Sequence, residues 1–325
     1  MSAVTLLTEQ HLEETLSRYA IGRLVRQWPA TNGIENSNYF VAAAGAAGEA
    51  EYVLTIVEQP SNAGDAYVAM MDELAASGLP VAAPVRNMQD QAIDDVRGKP
   101  AMLQARLSGK HVFNPTTAQV CALARCTARM HQTMAASAIE LPDYPRDARW
   151  LVERASIASG YIPYADLTLL NSGITQVHTL LNRGDVQNLP RGMVHADLFR
   201  DNVLFNEKGL AGVLDFHHAS TGFWIYDLAV IANDWCNDAR GQLDPGRTLA
   251  MLKAYHRIRP LLTEELWYFS NFALYAALTF WLSRLAVALD QRTKGMLRFK
   301  NPDEFKSIVE HHMRHSFYID ERLID

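Results

Sequence analysis

The stretch that most constrains the fold runs from His195 to Phe216 and reads HADLFRDNVLFNEKGLAGVLDF. It holds two short apolar runs, NVLF and LAGVLDF, and the linker NEKG between them suits a tight hairpin turn. A hairpin returns its two outer ends to one place, so Asn202 and Asp215 should be neighbours. Asp197 lies in the loop just upstream. The pattern therefore predicts a polar site at the open end of a two-stranded hairpin.

The side chains of this site suggest a chemistry. Mg²⁺ prefers oxygen ligands and is bound through one or two protein groups plus water and phosphates. Phosphoryl transfer needs such a metal and a separate carboxylate that faces the acceptor hydroxyl. The kinase pattern H-R-D-x-x-x-x-N followed by D-F-G maps onto His195, Asp197, Asn202 and Asp215, although the last element reads DFH. For any one residue, a turn whose polar groups cap one another is the structural alternative.

Composition excludes several other classes of protein. The net charge of −6 over 325 residues argues against a nucleic-acid binder. Three cysteines without CxxC spacing predict neither a disulfide framework nor a zinc site, and they favour a reducing compartment. The N-terminus lacks the basic region of a signal peptide. The uncharged run LWYFSNFALYAALTFWLS is nearly long enough to span a membrane, but its polar residues favour a buried helix and no membrane partner.

The hydrophobic pattern changes along the chain. NSNYFVAAA and EYVLTIVE predict a hairpin, DAYVAMMDELAASG a helix, and QAIDDVRGKPAMLQARL a second strand pair. A long helix should then begin with Asn114 as its cap and Pro115 in its first turn. Further helices are expected around 147–158, 165–182, 246–257, 263–290 and 303–315. We expect an α+β, bilobal fold, with a β-rich N-terminal lobe at 1–105 and a mostly helical C-terminal lobe at 106–325.

At these residues the chain resembles the aminoglycoside phosphotransferase/choline kinase-like superfamily, whose members are bilobal like protein kinases. The combination of ENSNYFV, HADLFRDNVLF and NDWC is most similar to the homoserine kinases of that superfamily. The resemblance implies a cytoplasmic, ATP- and Mg²⁺-dependent transferase with a kinase-like fold. It would phosphorylate the side-chain hydroxyl of L-homoserine to O-phospho-L-homoserine, in threonine biosynthesis, and its partner would be this small molecule rather than nucleic acid.

The resemblance also implies roles for the loop and hairpin residues. Asp197 would be the catalytic carboxylate, with His195 supporting the loop. Asn202 and Asp215 would hold Mg²⁺. Asp227, in YDLA, would brace the catalytic loop rather than meet the substrate.

ATP would lie between the lobes in a protein of this family. Its adenine would meet the segment around Gln104 and Arg106, and its phosphates would lie under the turn GIENSN, with Ser37, Asn38 and backbone amides as donors.

One position departs from the kinase pattern. Thr55 stands where a kinase-type strand carries a phosphate-binding lysine, and no lysine precedes Lys99. Homoserine kinases resemble this chain in having Thr there. The phosphate-neutralising cation is left to Arg200 or Arg106, and Glu73, which has no lysine to pair with, is expected to be a solvated helix residue.

An amino-acid acceptor requires an anion for its ammonium and an arginine for its carboxylate. Asp234 and Arg284 are the candidates, with Trp235 beside them, and an Asp234–Arg284 ion pair between helices is the structural alternative. Two other functions stay open. One is a kinase of another amino alcohol, such as choline, hydroxylysine or an aminoglycoside, where choline would use an aromatic cage of Trp235, Trp281 and Tyr275. The other is a catalytically silent nucleotide-binding module.

Overall fold

The computed structural model describes residues 5–29, 36–46, 48–58, 64–238, 241–293, 300–315 and 317–324, without the side chains of 291–293. In the N-terminal region, five strands form one antiparallel sheet in the order β1-β2-β3-β5-β4. Two helices accompany it. The elements are α1 (Glu9–Leu16), β1 (Arg23–Pro29), β2 (Ser37–Gly45), β3 (Gly48–Ile56), α2 (Asp65–Ala76), β4 (Asp94–Asp95) and β5 (Pro100–Ala105).

The two faces of this sheet have different neighbours, because successive side chains of a strand point to opposite sides. Tyr39, Val41 and Leu54 share one face and form a core with Leu12 and Leu16 of α1. The other face lies toward α2 and the helical region and carries Thr55 of β3 and its partner Asn38 of β2. A residue's parity along a strand therefore decides whether it faces α1 or the space between the lobes.

The helical region contains two short pairs of strands and eight helices among its described residues. Both pairs are antiparallel: β6 pairs with β9, and β7 forms a hairpin with β8. The elements are α3 (Thr117–Ala135), α4 (Ala148–Ala158), α5 (Tyr164–Leu181), a one-turn α6 (Gly184–Gln187), β6 (Arg191–Val194), β7 (Val203–Asn206), β8 (Gly209–Val213), β9 (Ser220–Phe223), α7 (Trp224–Trp235), α8 (Pro245–His256), α9 (Thr263–Thr293) and α10 (Asp303–Arg314).

Most predicted elements are confirmed, with one error at a helix start. The first predicted hairpin pairs Ser37 with Ile56 and closes at Gly45 and Gly48. The hairpin at the predicted polar site also forms, as β7 and β8. The cap predicted at Asn114 is wrong, because α3 begins two residues later. There, Thr116 accepts from the backbone of Gln119 and the Gln119 side chain accepts in return, so both exposed amides are satisfied.

Helix α9 accounts for the long uncharged run. By length and composition it is apolar enough to cross a membrane from Thr263 to Asp290, but most of that span is buried inside the protein. It packs against α4, α5, α7 and α10. It is a buried helix of the helical region, as the sequence predicted.

Two hydrogen bonds connect α2 and the segment after it to the helical region. Ser137 donates to Glu73 Oε2 over 2.6 Å, and the amide of Val213 donates to the carbonyl of Pro80 over 2.8 Å. Glu73 therefore points toward the helical region rather than to Thr55. The lobe boundary at 105/106 remains a prediction.

The three cysteines are unpaired thiols. Burial raises the pKa of Cys126 and of Cys236 to about 12, and it raises the pKa of Cys121 as well. None of the three lies in the predicted site.

Candidate active site

Hydrogen bonds to one carboxylate fix the loop between β6 and β7. Asp227 of α7 accepts from the amide of His195 over 2.8 Å and from the amide of Ala196 over 2.7 Å. Ala196 has φ of 64°, a conformation that costs a residue with a Cβ about 1–2 kcal/mol. The two hydrogen bonds offset that cost and fix the path of the chain into Asp197.

Asp227 is itself fully buried and belongs to a chain of hydrogen bonds. His131 Nε2 donates to its Oδ2 over 3.0 Å, and Tyr255 donates to His131 Nδ1 over 2.7 Å. A buried carboxylate needs such partners, because an unpaired charge is costly away from water. This is the arrangement expected of a residue that braces a loop.

His195 lies inside the loop with no exposed surface. Its Nε2 is 2.9 Å from the carbonyl of Leu214, which only accepts, and its Nδ1 is 3.2 Å from the amide of Asp197, which only donates. These partners require the neutral imidazole with its proton on Nε2. Burial also lowers the pKa of His195. The side chain links the loop to β8 and cannot serve as a proton carrier in this state.

Asp197 is the carboxylate at the tip of the loop. The amide of Asn202 donates to its Oδ2 over 2.7 Å and to its backbone carbonyl over 2.8 Å. Desolvation by burial raises the pKa of Asp197 to about 7; His218, Arg146 and Lys300 lower it, and the negative charge of Asp215 raises it further. A carboxyl group with a pKa near neutrality can exchange a proton at physiological pH.

Asp215 follows β8, next to the start of β7, as the hairpin predicts. The amide of Leu214 donates to the carbonyl of Asn202 over 2.8 Å. Asp215 has φ of 60° and ψ of 65°, a strained conformation for a residue other than glycine. Its side chain is 47% exposed. A carboxylate held in this way at the mouth of a site is a typical sign of function.

The donor set at this end of the hairpin fits a hard cation. Asn202 uses both amide N–H bonds on Asp197, and its Oδ1 accepts no hydrogen bond from the described residues. Within that same part of the chain, no group of three or more His, Cys, Asp or Glu side chains could hold a metal. A protein cage is thus ruled out there, whereas two oxygen ligands supplemented by phosphates suit Mg²⁺.

Two neutral side chains, Thr55 and Asn38, occupy the place where a kinase-type strand carries its phosphate-binding lysine. Thr55 Oγ1 donates to Asn38 Oδ1 over 2.7 Å, on the sheet face away from α1. Gln104 lies on this face too, two residues beyond Met102, the partner of Thr55. Its side-chain amide donates to the carbonyl of Ala82 over 2.5 Å. Asn38 and Gln104 therefore stay candidates for nucleotide contact.

Ser37 faces the other way, which corrects its assignment as a phosphate donor. It pairs with Ile56 and points toward the α1 core. Its hydroxyl is buried; it donates to Glu58 and accepts from the amide of Thr5 over 3.0 Å. Lys99 also binds Glu58. Residues 33–35 of the predicted phosphate turn lie outside the described residues.

Arg106 lies at the end of the sheet, near the predicted hinge. Its guanidinium is 4.8 Å from the ring centre of Phe40 and 5.7 Å from that of Trp28, and it binds Glu51. These contacts fix the side chain on the outer part of the interlobe face. Its role toward ATP remains a prediction.

The predicted substrate pair is not brought together. Asp234 accepts from the amide of Arg200 over 2.7 Å and binds its guanidinium at 3.0 Å. Arg284 binds Glu304 at 2.6 Å and the carbonyl of Asn301 at 3.0 Å. The alternative of an Asp234–Arg284 ion pair is therefore wrong. Both side chains already have opposite charges as partners, and the Asp234 pair engages Arg200, one of the candidate phosphate cations.

Trp235 has no exposed surface, and its indole donates to the carbonyl of Leu198 over 2.9 Å. A side chain enclosed in this way cannot touch a substrate, which corrects its assignment. Trp281 and Tyr275 are 1% and 4% exposed. The aromatic cage that choline would require is absent from these three positions.

The cations around Asp197 were not predicted from the sequence. Arg146 precedes α4, His218 follows the DFH element, and Lys300 precedes α10. None belongs to a motif with fixed spacing. Arg146 and Lys300 lie far from the loop in sequence and reach it only through the packing of the helical region, so no local pattern marks them.

The chain matches known proteins over nearly its full length. The model of the phosphotransferase enzyme family matches residues 28–261. A homoserine kinase from Pseudomonas aeruginosa is 36% identical over 89% of each chain, and one from Methylobacillus glycogenes is 34% identical over 95% of each. A homoserine kinase from Cupriavidus pinatubonensis is also 34% identical, over 95% of each chain.

Solved structures share the fold at lower sequence identity. Amicoumacin kinase, in complex with AMP-PNP, Ca²⁺ and Ami, has a TM-score of 0.67 at 17% identity, covering 95% of this chain and 93% of that one. A microcompartment-associated aminopropanol kinase has a TM-score of 0.65 at 15% identity, covering 94% of each chain. Together with the loop and hairpin that hold Asp197, Asn202 and Asp215, these matches show that the chain belongs to the phosphotransferase enzyme family and, within it, to the homoserine kinases.

Proposed function

We propose that the protein is an ATP-dependent kinase that converts L-homoserine to O-phospho-L-homoserine, a cytoplasmic enzyme of threonine biosynthesis. One observation carries the chemistry: the Asp197 carboxylate is held by Asn202 at the end of a hairpin whose other end presents Asp215. Full-length relatives named homoserine kinase support the choice of acceptor.

The residues in and around the catalytic loop have two different roles, catalysis and positioning. Asp197 orients the acceptor hydroxyl and takes its proton as the phosphoryl group moves, a role that suits its raised pKa. Asp227 and His195 hold the loop, so the carboxylate is placed before the substrate arrives. Such positioning supplies much of the catalysis when the transition state is loose.

Asn202 and Asp215 are the residues that would hold Mg²⁺. Bound there with ATP, the ion would offset the charge of the transferring phosphates. Asn38, Thr55 and Gln104 present polar groups on the sheet face above this point, where the nucleotide would lie.

The charge around Asp197 favours an acceptor with a carboxylate. Three cationic or titratable basic groups, Arg146, His218 and Lys300, act on this residue. The three aromatic residues that could bind a quaternary ammonium, Trp235, Trp281 and Tyr275, are buried. Choline is therefore a poor fit.

The test is ADP release, followed with a coupled assay in the presence of Mg²⁺ and ATP. L-Homoserine, choline, hydroxylysine and kanamycin are compared at equal concentration. We expect kcat/KM for L-homoserine to exceed the others by at least about 100-fold. A preference for another alcohol would contradict the proposed acceptor, and release with none of the four would favour a silent nucleotide-binding module.

A further inference from the structure

The motif NDWC, residues 233–236, lies at the C-terminal end of α7. Its first residue, Asn233, is buried and joins three helices. The side-chain amide of Asn233 donates to the carbonyl of Ala273 of α9 over 2.7 Å, and its side-chain oxygen accepts from His312 Nε2 of α10 over 2.8 Å. The end of α7 is therefore fixed to the helical core.

The next two residues of the motif contact the backbone of the catalytic loop. Asp234 Oδ2 accepts from the amide of Arg200 over 2.7 Å, and the indole of Trp235 donates to the carbonyl of Leu198 over 2.9 Å. These two backbone groups lie on either side of Phe199. The end of α7 thus fixes the loop before and after one residue.

The backbone of Phe199 continues these contacts into the site. Its amide donates to the carbonyl of Asp197 over 2.8 Å, and its carbonyl accepts from the amide of Asn202 over 2.9 Å. Arg200 begins the 3₁₀ turn that ends at Asn202, and the residue before this turn provides no side-chain cap. Asp234 supplies the acceptor that the first amide of the turn needs. The direction of the Asn202 side chain therefore depends on this contact.

The spacing of two carboxylates along α7 explains how one helix supports the whole loop. Asp227 and Asp234 are seven residues apart in the same helix. Seven residues make almost two full turns, so both side chains lie on one face, about 10 Å apart along the axis. Asp227 accepts from the amides of His195 and Ala196, at the beginning of the loop. The same helix face thus fixes the loop at its beginning and at its middle.

The side chain of Arg200 adds a second connection. Its Nε and one terminal nitrogen donate to the two oxygens of Asp234 over 3.1 and 3.0 Å, and its other terminal nitrogen donates to the carbonyl of Phe113 over 2.5 Å. Phe113 lies between β5 and α3, in the segment that joins the sheet to the helical region. All three guanidinium nitrogens therefore bind acceptors within the protein.

We propose that Asp234 and Trp235 are positioning residues for the metal site. They fix the backbone on either side of Phe199, and with it the direction in which Asn202 presents its side-chain oxygen to Mg²⁺. The inference rests on the proposed function, since it takes Asn202 as a ligand of the ion. It assigns Asp234 to the loop instead of to the ammonium group of the substrate.

The experiment measures how much Mg²⁺ each variant needs. Thermal unfolding is followed at a fixed, saturating concentration of ATP while Mg²⁺ is titrated, and the concentration that gives half of the metal-dependent shift is recorded. Asp234→Ala should raise this concentration about 10-fold, as expected when the support of a metal ligand is lost. Trp235→Phe keeps an aromatic ring but loses the N–H donor, and should raise it at least about threefold. Asp234→Asn keeps an oxygen acceptor for the amide and should stay within about threefold of wild type.

The ADP-release assay separates this role from substrate binding. In Asp234→Ala, the Mg²⁺ concentration for half-maximal rate should rise by the same factor, whereas KM for L-homoserine should change less than about threefold. A raised KM for L-homoserine with an unchanged Mg²⁺ requirement would assign Asp234 to the ammonium group and overturn the proposal.

Thr8→Ala is the control for a general loss of stability. Thr8 caps α1 by accepting from the amide of His11 over 3.3 Å, and α1 packs on the sheet face away from the site. This variant loses the same kind of bond at a helix end, so its melting temperature should fall while its Mg²⁺ requirement stays that of wild type. A rise as large as that of Asp234→Ala would show that lower stability alone causes the effect, and would overturn the proposal.

The outcomes distinguish this proposal from the proposed function. Wild type that phosphorylates L-homoserine, while Asp234→Ala and Trp235→Phe keep its Mg²⁺ requirement, overturns only the positioning role. Wild type that shows the expected Mg²⁺ effects but releases no ADP with L-homoserine overturns only the proposed acceptor. Wild type whose melting temperature with ATP does not respond to Mg²⁺ overturns the metal site and this inference together. If circular dichroism shows that Asp234→Ala does not fold, Trp235→Phe decides: a raised requirement supports the proposal, and an unchanged one overturns it.

Discussion

A carboxyl group taken out of water keeps its proton to a higher pH, and Asp197 is in that situation. Its pKa in an unfolded chain is close to 3.9, and burial raises it to about 7 in the folded protein. The folded state therefore binds one more proton than the unfolded state between these two values. Stability from this group is fully present below about pH 4 and is lost as the pH rises toward 7.

Asp197→Asn should separate activity from stability. The amide still accepts from Asn202 but carries no charge, so kcat should fall by about 10³-fold or more. At pH 8 the free energy of unfolding should rise by about 2 kcal/mol, less than the roughly 4 kcal/mol of a three-unit shift because the side chain is partly exposed. Urea denaturation at pH 8 and pH 4 measures this, and the gain should nearly vanish at pH 4. A gain of equal size at both pH values would show that removal of a buried negative charge is not its cause.

Asp227 offers a second test at a single residue. Asp227→Asn leaves one acceptor for the amides of His195 and Ala196, so a buried N–H loses its partner. The free energy of unfolding should fall by about 2–3 kcal/mol, and kcat should fall with it because the loop loses its support. Asp185→Asn is the control, since its ion pair with Arg183 is exposed to solvent and should contribute little to stability. Urea denaturation should give a clearly lower free energy of unfolding for Asp227→Asn than for Asp185→Asn.

At the scale of elements, close approach of strand and helix explains why β6 contains a glycine. A Cβ added at Gly192 would lie 2.7 Å from Nε1 of Trp224, closer than such atoms can approach. Trp224 in turn stacks on His131 at 5.6 Å, the residue that donates to Asp227. The strand, the first turn of α7 and the support of the catalytic loop are thus in direct contact.

Gly192→Ala should therefore affect both stability and activity. Moving the rigid indole or the strand should cost about 1–3 kcal/mol, and kcat should fall as His131 shifts. Gly160→Ala is the matched control, because a Cβ there meets open space. Thermal unfolding and the coupled assay measure the two effects. A melting temperature and kcat like those of the control would show that the tryptophan accommodates the methyl group.

The elements also show what could be predicted from sequence. Asn202 and Asp215 are joined by a short hairpin, so local spacing was enough to bring them together. The partners of Asp234 and Arg284 depend on how two helices are rotated, which no short pattern encodes. Ser37 illustrates a third case. Strand alternation predicts that Ser37 and Asn38 lie on opposite faces of the sheet, but only the packing of α1 decides which of the two faces it covers. Arg146 was missed because it lies in an irregular segment far from the loop in sequence.

At the scale of the whole molecule, the sheet and the helical region enclose the site from two sides. Thr55 and Gln104 lie on one side, and Asp197 and Asp215 on the other. A ligand that touches both sides stabilises the folded chain by mass action, by about 2.7 kcal/mol at 100 times its Kd. The part of this ligand-induced stabilisation that depends on Mg²⁺ should require the carboxylate of Asp215.

Asp215→Asn tests this link without straining the backbone, because asparagine also tolerates the left-handed conformation. In wild type, ATP with Mg²⁺ should raise the melting temperature by several degrees more than ATP with EDTA. In the variant the two values should coincide. Asp185→Asn, on the surface, should behave like wild type. A full magnesium effect in Asp215→Asn would place the ion elsewhere.

The protonated state of the three native thiols has a practical consequence for studying how the two lobes approach each other. Maleimide reagents attack the thiolate, and all three cysteines hold their protons well above neutral pH. A cysteine introduced at Val25, half-exposed on the edge strand β1, would react far faster than any of them. The unaltered chain is therefore already a low-background host for labels placed on introduced cysteines, one on each lobe.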